Sequence, residues 1–189
     1  WDSFKEVIEN MDFLHLYLNT LLLILGRVIC AVLTATLAGY AFGRLNFKGK
    51  NIMFSLVLFQ MMVPGQIFII PQYLMVSKMG MLNTIFALVF PGIVTAFGTF
   101  LLKQAYMGLP KELEEAAVVD GYNSLQIFTK IIVPISKPIF ASCAIVCLNH
   151  VWNEFLFANV FLESKNLMTI PIGLMTFKGD LRADYVTML

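Results

Sequence analysis

The pattern along the chain is one of long apolar runs separated by short polar segments. Residues 51–77 and 79–102 contain no Asp, Glu, Lys or Arg, and residues 28–43 and 138–153 are shorter uncharged runs. A membrane-crossing helix requires roughly 20 mainly apolar residues. The runs and their flanks therefore predict four spans, at 14–43, 51–72, 84–107 and 136–158. They are continuously apolar, whereas the strands of a membrane barrel alternate polar and apolar positions over ~10 residues. The predicted fold class is accordingly all-α, a polytopic bundle of membrane helices forming a single domain over 1–189.

Composition supports the pattern. Of 189 residues, 59% are hydrophobic and 13% are charged, against about 25% charged in an ordinary soluble domain. A soluble globule and a disordered chain are both excluded on this basis. Lys+Arg number 13 and Asp+Glu 12, so no basic surface for nucleic acid is expected.

Charge placement suggests an orientation. The loop Arg44–Lys50 holds three cations and no acid, and 103–137 adds Lys103, Lys111, Lys130 and Lys137. The other side carries Lys5, Lys78, Lys165, Lys178 and Arg182 in longer segments. The bias favours both basic loops being cytoplasmic. Residues 1–13 read as a short amphipathic approach on the outside, and 159–189 as an outer segment. The start at Trp1 and the end at Leu189 suggest the central piece of a longer chain.

Within the spans, Ala31, Ala35, Gly39 and Gly43 recur every four residues, a stripe of small residues suited to close helix packing. Arg27 lies inside the first span, so it is expected to meet a partner helix or a wet cavity, or to snorkel outward. Pro64-Gly65 and Pro71 predict a kinked or broken second span, flanked by Gln60, Gln66 and Gln72. Cys143 and Cys147 share a helix face and read as small packing residues rather than a metal pair. No phosphate-binding loop, zinc set or catalytic triad is present around Gly43, Gly49-Lys50, His15 or His150. His150 and Glu154 stand one turn apart and read as a structural pair or a gate.

The informative stretch is 108–134. Pro110 suits a first helical position, Glu112, Glu114 and Glu115 suit the positive end of a helix dipole, and Gly121 suits a stop. Leu113, Ala116, Ala117 and Val118 are expected to form one smooth apolar face. A second short helix should present Leu125, Phe128, Ile131 and Ile132, with Pro134 ending it and Ser136 capping the next span. A helix–glycine turn–helix with an acidic flank and an alanine face suits a groove on a partner protein better than anionic lipid.

That stretch resembles the EAA loop of binding-protein-dependent ABC transporter permeases. Glu115-Ala116-Ala117, three residues, Gly121, nine residues, then Ile131, one residue, Val133 and Pro134 match its spacing, with Val133 in place of leucine. Asn19-Thr20, Gly39-Tyr40-Ala41-Phe42 before Arg44, Val63-Pro64, Trp152-Asn153-Glu154-Phe155 and Thr169-Ile170-Pro171-Ile172-Gly173-Leu174 further resemble the MalG-like sugar permeases of this MetI-like family. The family normally has six spans, and the chain looks like its second to fifth.

The resemblance implies a permease that forms the solute path for a sugar or oligosaccharide in a bacterial inner membrane. It implies a second permease subunit, two cytoplasmic ATPase subunits that hold the ATP and magnesium, an extracellular solute-binding protein and the lipid bilayer as partners. Glu115, Ala116, Ala117, Asp120, Gly121 and Pro134 would couple to the ATPase. Gln60, Asn149, Trp152, Asn153 and Glu154 are candidates for the solute path, since sugar sites combine amides with aromatic rings. Another small solute (a polyamine, amino acid or phosphonate) would fit the same loop, and a non-transporting membrane scaffold or a membrane-embedded enzyme is the remaining alternative. No cofactor is expected in this chain and no enzymatic role of its own.

Overall fold

The computed structural model describes residues 13–175, and all regular structure among them is helical. Residues 1–12 of the outer approach expected over 1–13, and residues 176–189 of the outer segment with Lys178 and Arg182, lie outside the described residues. The helices run in the order α1 (Phe13–Arg44), α2 (Lys50–Met62), α3 (Ile69–Lys78), α4 (Ile85–Val89), α5 (Ala96–Met107), α6 (Glu112–Val119), α7 (Ser124–Ile127), α8 (Lys137–Trp152) and α9 (Leu156–Phe161). Among the described residues, α1 is the one helix long and apolar enough to cross a membrane unaided. Three further pairs of consecutive helices pass the same test across a short bent break, giving up to four crossings if each pair is one span.

Two hydroxyls in α1 are satisfied within the helix, as an apolar surrounding favours. The Thr20 hydroxyl donates to the Leu16 carbonyl at 2.7 Å and the Thr36 hydroxyl to that of Val32 at 2.6 Å. The break after α2 follows from Pro64. Val63 is extended (φ −91°, ψ 124°), the conformation a following proline enforces.

The chain divides into two compact units. One contains Val28–Pro64 and Ile93–Cys147. Here the small-residue stripe makes the close helix contact expected of it. Ala31 and Ala35 are buried, and a Cβ on Gly39 would stand 2.8 Å from the Leu102 Cβ and 3.0 Å from the Lys103 amide nitrogen. Only glycine lets the α1 and α5 backbones approach that closely. Gly98 of α5 is equally constrained, its Cβ position being 3.0 Å from the Ala35 Cβ and 3.2 Å from the Cys143 Sγ. Cys143 is thus a packing residue in a three-helix contact. On α2, the Phe54 ring packs against Phe42 and Phe100 and carries the Lys103 ammonium 3.4 Å from its centre.

The other unit contains the chain up to Arg27, Gly65–Gly92 and the chain from Leu148. Val76, Leu23 and Phe161 are its most deeply buried large apolar residues. Arg27 lies across the backbone of Gly92, where any side chain would overlap its guanidinium. The charge therefore meets a neighbouring element of its own unit. Side-chain amides and hydroxyls fasten the segment 162–170. The left-handed Asn83 (φ 57°) accepts the amides of Glu163 and Ser164 at 3.1 and 2.9 Å and donates to the Ser164 hydroxyl at 2.6 Å. Asn19 donates to the carbonyls of Asn166 and Met168 at 2.6 and 3.1 Å, and Thr20 accepts the Ile170 amide at 3.0 Å.

Candidate functional site

The segment 108–135 folds as two short helices around a glycine turn. Lys111 precedes α6, its carbonyl accepting the amides of Glu114 and Glu115 at 2.9 and 3.0 Å. Pro110 therefore stands just outside the helix rather than opening it. Glu112, Glu114 and Glu115 occupy the first turn, at the positive end of the dipole. At the other end the Tyr122 amide reaches the Ala117 carbonyl at 2.9 Å and the Gly121 amide that of Val118 at 3.0 Å. This is a Schellman closure, and it requires the left-handed φ of 81° that Gly121 adopts.

The second helix begins with a reciprocal cap that sequence reasoning missed. Asn123 Oδ1 accepts the Gln126 amide and Gln126 Oε1 accepts the Asn123 amide, both at 2.9 Å. The three-residue spacing of a small polar residue and a glutamine was the available signal. After Ile127 the chain widens into a π-turn over Phe128–Ile132 and continues through Val133–Ile135. Pro134 therefore sits within the helical path rather than ending it. The wide turn just before it removes the carbonyl clash that a proline ring meets in a regular helix. The break falls at Ser136, and the cap expected there is not made. The Ser136 hydroxyl is fully buried and makes no hydrogen bond, while its carbonyl accepts the Ile139 and Phe140 amides.

The segment stands on an apolar platform formed by Ala35, Tyr40, Leu102, Tyr106, Ala117, Ile127, Phe128 and Ile132. The Tyr40 ring lies 4.8 Å from Phe128 and 6.2 Å, edge-on, from Tyr106. Ala117 faces this platform at 3% exposure, so the single smooth face expected of Leu113, Ala116, Ala117 and Val118 is divided. Ala117 turns inward. Leu113, Ala116, Val118 and Val119 are exposed, Val119 at 87%. On the second helix the inward set is Ile127, Phe128, Ile131 and Ile132 rather than one that includes Leu125, which is 69% exposed. Leu125 lies in the first turn, and the π-turn shifts the register of the residues after Ile127.

Of the proposed coupling residues, Glu115, Ala116, Asp120, Gly121 and Pro134 are exposed and Ala117 anchors the helix. The fastening that sequence reasoning overlooked comes from Arg44. Its Nη2 donates to the Leu109 carbonyl at 2.5 Å, and its Nε lies 3.1 Å from Glu114 Oε1. Nothing local in the sequence singles out this pair, since the partners belong to different elements.

Four of the five proposed solute-path residues cluster at the end of α8. Asn149, Trp152 and Asn153 are exposed, and the Asn153 amide group donates to the Asn149 carbonyl at 2.7 Å. Glu154 lies just beyond the helix, which ends at Trp152, and its amide still reaches the Val151 carbonyl at 3.2 Å. Its carboxylate accepts the Phe157 amide at 3.3 Å, at the start of α9. Gln60 is exposed in the last turn of α2 and belongs to the other compact unit.

Residues 32–188 match the family described as binding-protein-dependent transport system inner membrane component. The probable ABC transporter permease protein YurM of Bacillus subtilis is 34% identical over 182 residues, covering 95% of this chain and 61% of that protein. The arabinooligosaccharides transport system permease protein AraQ of Halalkalibacterium halodurans is 37% identical over 162 residues, covering 86% and 58%. The chain thus spans about three fifths of the length of these curated relatives. A crystal structure of a bacterial ABC transporter involved in the import of the acidic polysaccharide alginate contains a chain of the same fold. Its TM-score is 0.81 and its identity 25%, and the match covers 93% of this chain and 61% of that one. With most of its length inside the family match, and relatives aligned along nearly all of it, the chain belongs to the binding-protein-dependent transport system inner membrane components.

Proposed function

We propose that the chain is the membrane permease part of an ATP-driven importer of a sugar or oligosaccharide, and that its 108–135 segment docks on a cytoplasmic ATPase. The observation that carries the docking role is the outward face of α6. Glu115, Ala116, Val118 and Val119 are exposed together on a helix whose inner side is fixed by Ala117 and whose end is fixed by Gly121. Small and apolar residues permit close approach to a groove, and Glu115 supplies a charge-assisted contact. The sugar assignment draws support from the oligosaccharide and polysaccharide named for the AraQ relative and the alginate importer.

In this reading the chain hydrolyses nothing itself. ATP and magnesium bind the ATPase subunits, a second permease completes the path, and a solute-binding protein delivers the cargo from outside. The spans cross a bacterial inner membrane several times with the basic loops in the cytoplasm. Gln60, Asn149, Trp152, Asn153 and Glu154 contribute to the path, the exposed amides and indole being suited to hydroxyl and ring contacts with a saccharide.

The test is reconstitution of the full-length protein with its partner permease, ATPase and binding protein in proteoliposomes. Uptake of radiolabelled arabinooligosaccharide, lactose, maltose and spermidine is measured beside ATP hydrolysis. Saccharide-stimulated hydrolysis that Glu115→Lys and Gly121→Pro both abolish supports the proposal. Stimulation by spermidine alone overturns the sugar assignment, and coupled uptake that survives both substitutions overturns the docking role.

A further inference from the structure

Arg44 is the last residue of α1, and its side chain is 6% exposed. Its guanidinium spans two elements that come much later in the chain. Nη2 takes the Leu109 carbonyl, just past the end of α5, and Nε faces the Glu114 carboxylate in the first turn of α6. The Glu114 contact is an ion pair at 3.1 Å rather than a well-aligned hydrogen bond. Three ends are thereby joined by one planar fork: α1, α5 and the helix that carries Glu115-Ala116-Ala117.

The rest of the seat beneath α6 is apolar, made of Ala117 against Tyr40, Tyr106 and Phe128. Apolar contact is non-directional and tolerates sliding. The hydrogen bond from the guanidinium to the Leu109 carbonyl is directional, and the ion pair with Glu114 adds a fixed distance. The two kinds of contact therefore divide the task, the core supplying adhesion and Arg44 supplying register.

We propose that Arg44 is a positioning residue that locks the end of α1 to α6 through Glu114 and Leu109, so that the coupling helix and the first span are displaced as one piece. The proposal rests on the reading of α6 as the ATPase-docking helix. Glu115, exposed on the same helix, meets the partner, whereas Glu114, 23% exposed, meets Arg44. Neighbouring glutamates thus carry opposite assignments.

The experiment uses the full-length protein in the complete transporter, in nanodiscs, with Cys30, Cys143 and Cys147 replaced by alanine. Nitroxide labels are placed at Leu45→Cys and Glu112→Cys, both exposed positions. The interspin distance is measured without nucleotide and after trapping with Mg-ATP and vanadate. With Arg44 intact, one narrow distance common to both states is expected. Arg44→Gln and the milder Glu114→Gln should each roughly double the width of the distribution and make it differ between states. The double variant Arg44→Glu with Glu114→Arg re-forms the charge pair but leaves the Leu109 carbonyl without its donor. Its distribution should therefore be narrower than that of either single variant without reaching the parent width, which a purely bulk-packing role of Arg44 would not produce.

A distance that already differs between states in the parent protein overturns the proposal. So does a narrow, unchanged distance in both Arg44→Gln and Glu114→Gln. Failure of the docking reading is separable, because it appears as ATPase binding and coupled hydrolysis that Glu115→Lys leaves intact, whatever the interspin distances show.

Discussion

Two regions of the chain are fastened by different chemistry. The 108–135 segment stands on aromatic and aliphatic side chains and is pinned by one charged fork at Arg44. The 162–170 segment is held by neutral amides and hydroxyls, with Asn19, Thr20 and Asn83 reaching its backbone directly. Neutral side-chain-to-backbone bonds tie each point separately and leave no surface along which to slip. A platform with a single charged pin moves as a body and is released at one place. Under the docking proposal, the contrast suits a segment that transmits displacement in the first case and one that keeps a fixed shape in the second.

The strongest attack on the comparison removes the platform itself. Gly39→Leu would place a Cβ 2.8 Å from that of Leu102 and force α1 and α5 apart, and overpacking of this kind costs about 3 kcal/mol. Hydrogen exchange in lipid nanodiscs should then quicken across 112–135, with the amides of Glu163 and Ser164 as internal reference. Equal quickening in both regions would dissolve the distinction. Next in size, Asn83→Ala removes the acceptor of two amides and the donor to Ser164. About 2 kcal/mol of local protection should be lost at Glu163 and Ser164, read by the same exchange measurement.

A salt series sharpens the contrast further. Raising the salt from low to molar concentration screens a partly exposed ion pair by about 0.5 kcal/mol. The Gly121 and Tyr122 amides should therefore exchange about twice as fast in high salt, while the Ile170 amide is unaffected. The smallest expected effect is that of Val119→Ser. At 87% exposure the side chain touches little within the chain, so thermal stability should stay within about 0.5 kcal/mol of the parent. ATPase affinity, read by co-purification, should fall under the docking proposal.

Much of this was legible in the residues. The stripe Ala31–Ala35–Gly39–Gly43 announced a close helix contact because four-residue spacing keeps one face. Pro64 announced the break after α2 because a proline excludes helical geometry from the residue before it. Gly121 announced the end of α6 because only a left-handed residue closes that turn. The Arg44–Glu114 pair was not legible, since charge pairing across separate elements depends on how they pack and leaves no local pattern. Pro134 was misread for a related reason. A proline ends a regular helix, but a π-turn one step earlier changes the spacing on which that rule depends. The face of the second helix was misassigned at Leu125 through the same change of register.

The Thr20 hydroxyl and the Asn19 amide find their partners 147 to 150 positions further along the chain. A ribosome adding about 5–20 residues per second needs on the order of ten seconds to supply them. Throughout that interval α1 exists without the strap that later closes over it, and in membrane insertion such a delay is a window for quality control. A chain halted before residue 166 would leave both the Asn19 amide and the Thr20 hydroxyl without those partners, two polar groups of an apolar helix exposed to lipid until the rest of the chain arrives.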